Sequence, residues 1–306
     1  MFIQILSKIS VIFLLLLIGA LAKYRRLLTE EATNDISKVV VVVTLPFLYF
    51  YTLATQCSKE LLISTWMLPL AAVGLVLLAY LLGWLVSSFL CLDKPRRNTF
   101  IYLSAFTNCG FLAIPVAFAL FGQQGVVRVV IFNVGYSLLL WTLGIWTLSR
   151  STNKKKVDSL KNLINTGTIA LLIGLLAGSF SIKLPSFFLE TSDILGKATI
   201  PLALLVVGAI LAGGKLNQKI PYKTILSLIT CRLIIVPAVA LGVTSIFNMP
   251  HLIRAIIVLQ AAMPSASTTP LFIRRFGGGD SELAASGVFF TTLFSIITVP
   301  VFLSLV

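Results

Sequence analysis

Pro115-x5-Phe121-Gly122 and Pro270-x5-Phe276-Gly277 are the same pattern, and an offset of 155 residues separates them (115 to 270, 121 to 276). Two other pairs of segments share this offset without a gap: Leu45-Pro46 with Ile200-Pro201, and Leu16-Leu17-Ile18-Gly19 with Leu171-Leu172-Ile173-Gly174. The agreement of three separated segments on one offset indicates that the chain consists of two related halves. Repeated halves with proline-interrupted apolar segments at corresponding positions are typical of carriers whose site lies where the repeats meet.

The composition predicts an all-α membrane protein. Hydrophobic residues make up 58% of the 306 residues, charged residues only 11%, and the mean hydropathy is +1.02. The apolar residues occur in runs of about 20, the length that crosses a hydrocarbon core of ~30 Å. We predict ten transmembrane helices, near residues 3–22, 36–56, 63–91, 98–120, 126–148, 163–181, 194–213, 222–247, 252–275 and 283–305.

The net charge of +14 is a signal of topology and does not indicate a nucleic-acid partner. Lys and Arg are concentrated in the odd-numbered connections between the predicted spans, as in Lys154-Lys155-Lys156, and are sparse in the even-numbered ones. Short loops rich in Lys and Arg stay on the cytoplasmic side of the membrane. The pattern therefore predicts a cytoplasmic (inner) membrane protein with both termini on the periplasmic or extracellular side.

The two halves are predicted to be inverted repeats. We divide the chain into a first repeat (residues 1–150), a cytoplasmic linker (151–162) and a second repeat (163–306), with five spans in each repeat. A duplicated unit with an odd number of crossings inserts its two copies in opposite orientations. The charge pattern agrees, because the loop after span 1 is predicted to be cytoplasmic and the loop after span 6 is not.

Spans 4 and 9 are predicted to be broken helices that cross. Pro115 lies within the first, and Pro264 and Pro270 lie within the second. Proline removes a backbone donor and interrupts a helix, and interrupted backbone is tolerated at membrane depth only where protein buries it or where it lines a cavity. Half-helices that begin at the two breaks would direct their positive amino ends at one point, a suitable seat for an anion.

The most polar stretches inside any predicted span surround these breaks, and they supply the candidate binding residues. We select Asn108 first, because its amide would reach neither solvent nor a local cap. Arg232 lies about ten residues into span 8. It is a counter-charge for the ligand, it extends to the cytoplasmic side of the membrane, or it bonds to broken-helix carbonyls. The hydroxyl groups have the alternative of bonding to their own helix. The candidate set is Thr107, Asn108, Gly110, Pro115, Asn133, Tyr136, Arg232, Gln260, Pro264, Ser265, Ser267, Thr268 and Pro270.

Three motifs resemble the auxin efflux carrier family, which includes the plant PIN-type carriers and bacterial relatives described as malate or malonate permeases. The motifs are Asn108-Cys109-Gly110-Phe111 followed by Ile114-Pro115, Met263-Pro264-Ser265-Ala266, and Arg232-Leu233-Ile234-x-x-Pro237. The resemblance implies a five-plus-five inverted repeat and an organic anion carried by an elevator-like motion. It also implies that Asn108 binds a carboxylate, and that Pro115 and Pro270 are the prolines of the crossing.

Other function classes are disfavoured. Gly277-Gly278-Gly279-Asp280 fits the G-x-G-D pattern of intramembrane aspartyl proteases, but no second Asp lies at depth in a predicted span, so we expect no enzyme. The single histidine and the scattered cysteines predict no metal site and no cofactor. An anion channel and an anion-binding membrane sensor remain the alternatives to a carrier. Gly174-x-x-x-Gly178 leaves a homodimer possible.

Overall fold

The computed structural model describes residues 2–150, 164–213, 220–247 and 249–306, with side chains from residue 10 onward. The predicted linker, residues 151–162, lies outside the described residues. The described chain is helical, which confirms the predicted class. Its helices are α1 (Phe2–Tyr24), α2 (Glu30–Val39), α3 (Leu45–Gln56), α4 (Lys59–Thr65), α5 (Met67–Phe89), α6 (Lys94–Ala105), α7 (Ala113–Leu139), α8 (Ile145–Ser149), α9 (Thr166–Ser179), α10 (Ser186–Lys197), α11 (Thr199–Gly213), α12 (Tyr222–Ile229), α13 (Val236–Ile246), α14 (His251–Ala262), α15 (Thr269–Phe276) and α16 (Ser281–Ser304).

Short π-helical turns join several of these helices into longer rods. Residues Val40–Thr44, Leu140–Gly144 and Thr230–Ile235 connect α2 to α3, α7 to α8 and α12 to α13. Within the described residues, six helical stretches are long and apolar enough to cross a membrane: Glu30–Gln56, Lys59–Phe89, Ala113–Ser149, Ser186–Gly213, Tyr222–Ile246 and Ser281–Ser304. The chain is a multi-pass membrane protein, and the count of ten spans stays a prediction.

Local capping fixes where several helices begin. The side chains of Thr29, Ser58, Asn165 and Asp280 each accept a hydrogen bond from the backbone N–H three residues later. Each bond satisfies one of the amide groups that a helix leaves without an internal acceptor at its first turn. The four caps thus mark the first residues of α2, α4, α9 and α16.

Helices from the two halves pack in exchanged pairs. α1 packs against α11, and α3 packs against α9. A Cβ atom placed on Gly19 would lie 2.2 Å from the carbonyl oxygen of Leu205, and one placed on Gly174 would lie 2.9 Å from that of Phe50. Gly174 follows Gly19 by 155 residues, and Leu205 follows Phe50 by the same number. The same close backbone contact is therefore made twice, with the roles of the halves exchanged.

Gly19→Ala is expected to destabilise the protein. The added methyl group would overlap the α11 backbone, so the two helices must separate, and overpacking of this kind costs about 1–3 kcal/mol. We expect the melting temperature of the detergent-purified protein to fall by several degrees. Gly74→Ala is the matched control, because a Cβ atom there meets no atom within 4 Å. Equal melting temperatures for the two variants would contradict the close α1–α11 contact.

The helices are interrupted at both predicted breaks. α6 ends at Ala105 and α7 begins at Ala113, while α14 ends at Ala262 and α15 begins at Thr269. A glycine with positive φ follows each break: Gly122 (φ 60°) kinks α7, and Gly277 (φ 84°) ends α15. These are the two glycines with positive φ among the described residues. Left-handed backbone favours glycine because it has no Cβ atom. These glycines are also 155 residues apart.

Candidate functional site

The two unwound segments cross and bond to each other. Thr107 and Ser265 form an antiparallel bridge. The N–H of Asn108 donates to the carbonyl of Pro264 (2.8 Å), and the N–H of Ala266 donates to the carbonyl of Phe106 (2.9 Å). Buried backbone groups that leave a helix need partners in an apolar environment, and here each break supplies the partners of the other.

The prolines lie where a missing N–H costs least. Pro115 is the third residue of α7, and Pro270 is the second residue of α15. The first N–H groups of a helix have no acceptor inside it, so proline is tolerated there. Pro264 is in the second unwound segment and accepts the bond from Asn108. Pro115 and Pro270 thus lie in the first turns of the helices that follow the crossing.

Arg232 holds the carboxyl ends of the two interrupted helices together. Its side chain is completely buried. The guanidinium donates to four backbone carbonyls: those of Met263 (3.0 Å), Ser104 (3.1 Å), Ala261 (2.7 Å) and Gln260 (3.3 Å). Carbonyls at a helix end lack internal donors and carry partial negative charge. Of the three roles that the sequence left open for Arg232, these contacts favour that of a partner for the broken helices, and the burial of the side chain argues against its extension to the membrane surface.

A cavity of about 120 Å³ adjoins the crossing. Among the described residues, its lining contains no charged side chain. The polar part comes from both unwound segments, from α3 and α7, and from the start of α9. The lining residues include Val41, Leu45, Tyr49, Thr107, Asn108, Cys109, Gly110, Phe111, Tyr136, Ser137, Trp141, Asn165, Gly167, Thr168, Thr268 and Phe272.

Two buried side-chain donors in this lining lack an acceptor among the described residues. The Oδ1 atom of Asn108 accepts from the N–H of Phe111 (3.1 Å), so the expectation that this amide reaches no local cap is wrong for its oxygen; the bond fixes the orientation of the amide. Its Nδ2 atom has no partner, and neither has the hydroxyl oxygen of Thr107. A buried polar group without a partner costs roughly 1–3 kcal/mol. Unsatisfied donors beside a cavity are therefore evidence for a ligand or water that accepts from them.

The ends of the nearby helices add partial positive charge. α7 begins at Ala113 and α15 at Thr269, directly after the segments that form the crossing, and Thr168 at the start of α9 also lines the cavity. Exposed N–H groups at helix starts favour negative charge. The site thus offers donors and helix dipoles without a cation, which suits a small ligand rich in acceptor atoms.

Asn133 and Tyr136 lie one turn apart on α7, and both contact the site. The Tyr136 hydroxyl donates to the carbonyl of Thr107 (2.9 Å). The Asn133 amide donates to the Tyr49 hydroxyl oxygen (3.1 Å) and approaches the carbonyl of Cys109 (3.5 Å). Its Oδ1 atom has no partner among the described residues. The two side chains therefore hold the first unwound segment through the backbone carbonyls of Thr107 and Cys109.

The other candidates take different places. Gly110 and Thr268 line the cavity. Ser265 donates its hydroxyl to the carbonyl of Leu103 (2.7 Å), so it stabilises the crossing. Ser267 and Gln260 are buried and do not belong to the lining described above, and the Gln260 side-chain amide has no partner among the described residues.

Sequence reasoning missed Tyr49, Trp141, Phe272 and the start of α9. Tyr49 lies three residues after Pro46, inside a repeated segment, and this position could have identified it. Asn165 and Thr168 form a helix start, with Asn165 accepting from the N–H of Thr168 (3.1 Å). The sequence allows this helix start to be recognised from its capping residue. Its position near the crossing, however, is a long-range contact that no local sequence pattern indicates.

A family model for membrane transport proteins matches residues 4–303, nearly the whole chain. The chain belongs to the auxin efflux carrier family. This carrier family member is 27% identical to an uncharacterized transporter of Methanocaldococcus jannaschii, with 96% of each chain covered. It is 25% identical to an uncharacterized transporter of Methanothermobacter thermautotrophicus over 94% of each chain, and 23% identical to the protein PIN-LIKES 7 of Arabidopsis thaliana over 85% of each chain.

Membership of the auxin efflux carrier family makes the chain a membrane transporter and not an enzyme. The relatives match it over most of their own lengths, so the similarity includes both interrupted helices. The prediction of the family from three short motifs is confirmed.

Proposed function

We propose that this transporter carries a small organic anion, a carboxylate, by elevator-type alternating access. The single observation that carries the proposal is the pair of unpartnered donors, Asn108 Nδ2 and Thr107 Oγ1, in a cavity beside the crossing. A carboxylate has two oxygens that each accept hydrogen bonds. Hydrogen bonds to a charged group contribute roughly 1.5–3 kcal/mol, enough to replace part of the lost hydration.

The absence of a charged side chain among the described lining residues supports weak binding of the anion. A cation in the cavity would hold an anion tightly, whereas amide, hydroxyl and helix N–H groups bind it more weakly and allow release. No Asp or Glu is buried among the described residues, so nothing near the ligand repels it. Transport of a lone anion moves charge, and it responds to membrane potential by about 2.3 kcal/mol per 100 mV.

Three repeated features support the ten-span inverted repeat, with residues 1–150 and 163–306 as its units and 151–162 as the cytoplasmic linker. The first is the Gly19 and Gly174 pair of close approaches, and the second is the pair of left-handed glycines, both at the offset of 155 residues. The third is a pair of matching hydrogen bonds, Arg97 to the Ser88 hydroxyl and Arg254 to the Ser245 hydroxyl, each 2.9 Å, with an offset of 157 residues (97 to 254, 88 to 245). The loop charges support placing both termini outside the cytoplasm.

The elevator motion requires two bodies, and the packing supports such a division. The exchanged pairs, α1 with α11 and α3 with α9, would form the scaffold, and the helices around the crossing would form the moving body. The cavity has lining residues from both, as Tyr49 belongs to α3 and Asn108 to the crossing. The bond from Asn133 to Tyr49 joins the two bodies and would break when the moving body slides.

Transport in proteoliposomes tests this function. Uptake of labelled mono- and dicarboxylates is measured with membrane potential and sodium varied separately. We expect saturable uptake that follows the potential, and acceleration of labelled uptake by unlabelled anion preloaded inside. This counterflow requires a site that alternates between the two sides.

Each contrary outcome points to a different class of protein. Unsaturable flux with unitary currents in planar bilayers would indicate an anion channel. Binding of carboxylate without any flux would indicate a sensor. Saturable uptake of organic cations but not of carboxylates would contradict the assignment of the site as an anion site.

A further inference from the structure

α9 is too short to cross the membrane, so one of its ends lies inside the hydrocarbon region. The helix has 14 residues, Thr166–Ser179, which corresponds to about 21 Å against a hydrocarbon core of ~30 Å. Its carboxyl end is at the membrane surface, because the Nζ atom of the exposed Lys59 lies 5.3 Å from the centroid of the Phe180 ring. The amino end is therefore at membrane depth, where Gly167 and Thr168 line the cavity beside the crossing.

The repeat does not account for this helix start. At the offset of 155 residues, Thr166 corresponds to Val11, which lies nine residues after the first residue of α1 (2 to 11). The backbone of α1 is continuous at that position. In the second half, Asn165 is extended and its side chain caps α9 by accepting from the N–H of Thr168 (3.1 Å). The amino end beside the cavity is thus a feature that α1 lacks.

The first turn of α9 has unused donors. The N–H groups of Thr166 and Gly167 have no acceptor among the described residues, since the Asn165 cap occupies only the N–H of Thr168. Gly167 lines the cavity and has no side chain that would cover its own N–H. Free N–H groups at a helix start carry partial positive charge and favour anions.

An independent observation points to a ligand in the same cavity. Asn108 and Thr107 are 3% and 4% exposed, and the Nδ2 atom of the first and the hydroxyl oxygen of the second have no partner in the described chain. These two residues belong to the crossing, whereas α9 packs against α3 in the scaffold. Donors from the moving body and from the scaffold therefore line one cavity of about 120 Å³.

Given the proposed function, on which this step rests, we infer that the amino end of α9 binds the carboxylate together with Asn108. The anion is then held between the scaffold and the moving body. When the moving body slides, Asn108 travels with the anion and the start of α9 stays behind. By the symmetry of the repeat, the opposite conformation places the site beside α1, which has no helix start at the corresponding position.

The anion is consequently bound more tightly from one side of the membrane. A helix start in a partly buried site favours an anion by about five-fold. α9 follows the linker that we predict to be cytoplasmic, so the cytoplasmic face is the face of higher affinity. The KM for the anion is therefore expected to be lower at that face than at the opposite one.

Membrane vesicles of both orientations test this asymmetry. Inverted vesicles present the cytoplasmic face to the medium, right-side-out vesicles present the opposite face, and vesicles without the protein give the background. Uptake of labelled succinate and of labelled pyruvate is measured over a range of concentrations at zero membrane potential. We expect the wild-type KM of the transported carboxylate to be about five-fold lower in inverted vesicles.

Thr166→Pro removes one donor from the α9 start and keeps the helix. Asn165 has φ −130° and ψ 165°, which suits a residue before proline, and proline is favoured at the first position of a helix. We expect the KM at the cytoplasmic face to rise about five-fold, and the KM at the opposite face to stay unchanged. Ser281→Pro is the matched control and should change neither value. Ser281 also follows a capping side chain, that of Asp280, and it is not part of the cavity lining.

Asn165→Asp carries the test if Thr166→Pro does not fold. Aspartate caps a helix as well as asparagine does, so the melting temperature should stay near that of the wild type. The added negative charge lies in the cavity lining, and it should raise the KM at the cytoplasmic face at least about ten-fold.

The outcomes separate the role of α9 from the proposed function. Saturable wild-type uptake with equal KM at the two faces, or an unchanged cytoplasmic KM in folded Thr166→Pro or folded Asn165→Asp, would overturn the role of α9 and leave the carboxylate carrier intact. Lack of saturable wild-type uptake of either carboxylate in both vesicle orientations would overturn the proposed function, and the role of α9 with it.

Discussion

Asn108→Ala is expected to reduce carboxylate uptake in proteoliposomes by at least about ten-fold. The variant removes the one amide in the cavity whose Nδ2 atom is buried without a partner. Loss of a hydrogen bond to a charged ligand costs roughly 1.5–3 kcal/mol, which corresponds to a ten-fold to hundred-fold fall in affinity. The measurement is initial uptake over a range of anion concentrations, normalised to the amount of folded protein.

Asn108→Asp distinguishes ligand binding from backbone support. The Asn108 side chain also accepts the N–H of Phe111, and an aspartate keeps that acceptor while it removes the donor and adds negative charge. We expect Asn108→Asp to melt near the wild-type temperature and to transport no carboxylate. Thr142→Val is a suitable control, because the Thr142 hydroxyl bonds to its own helix at Leu138. Wild-type uptake by both Asn108 variants would remove this residue from the site.

Arg232→Leu is expected to prevent stable folding. The substitution leaves four buried carbonyls, those of Ser104, Gln260, Ala261 and Met263, without their charged donor. Each buried acceptor without a partner costs roughly 1–3 kcal/mol, while the whole stability of a protein is only about 5–15 kcal/mol. We expect little monodisperse protein on size exclusion in detergent, and a sharply lower melting temperature for what remains.

Two further substitutions serve as comparisons for Arg232→Leu. Arg232→Lys keeps the charge but replaces the planar fork by a single ammonium group, so partial stability is expected. Cys231→Ala at the adjacent buried position changes little volume and no charge, and it should behave like the wild type. If Arg232→Leu melts normally and loses only transport, the arginine contacts the ligand and the capping role is wrong.

The sequence predicted the breaks because their causes are local. Proline at 115 and 270 acts on its own helix, and polar residues at membrane depth stand out against an apolar background. The repeat added a second signal, since the same pattern at a fixed offset restricts which interruptions belong together. The family followed from two motifs that lie in these stretches and from a third motif that begins at Arg232.

Other parts of the site could not be predicted, because they depend on contacts between distant residues. The residues next to Arg232 in the sequence do not indicate that its four acceptors lie at the carboxyl ends of α6 and α14. The role of Tyr49 depends on the packing of α3 against α7, and the approach of the α9 start depends on the exchange of helices between the halves.

The bridge at Thr107 and Ser265 is made by main-chain atoms alone. The two hydrogen bonds of the bridge therefore need no particular side chain at positions 107 and 265, although the Ser265 hydroxyl adds a bond of its own to the crossing. Substitutions at these two positions can therefore accumulate during evolution while the main-chain pairing between the two unwound segments persists.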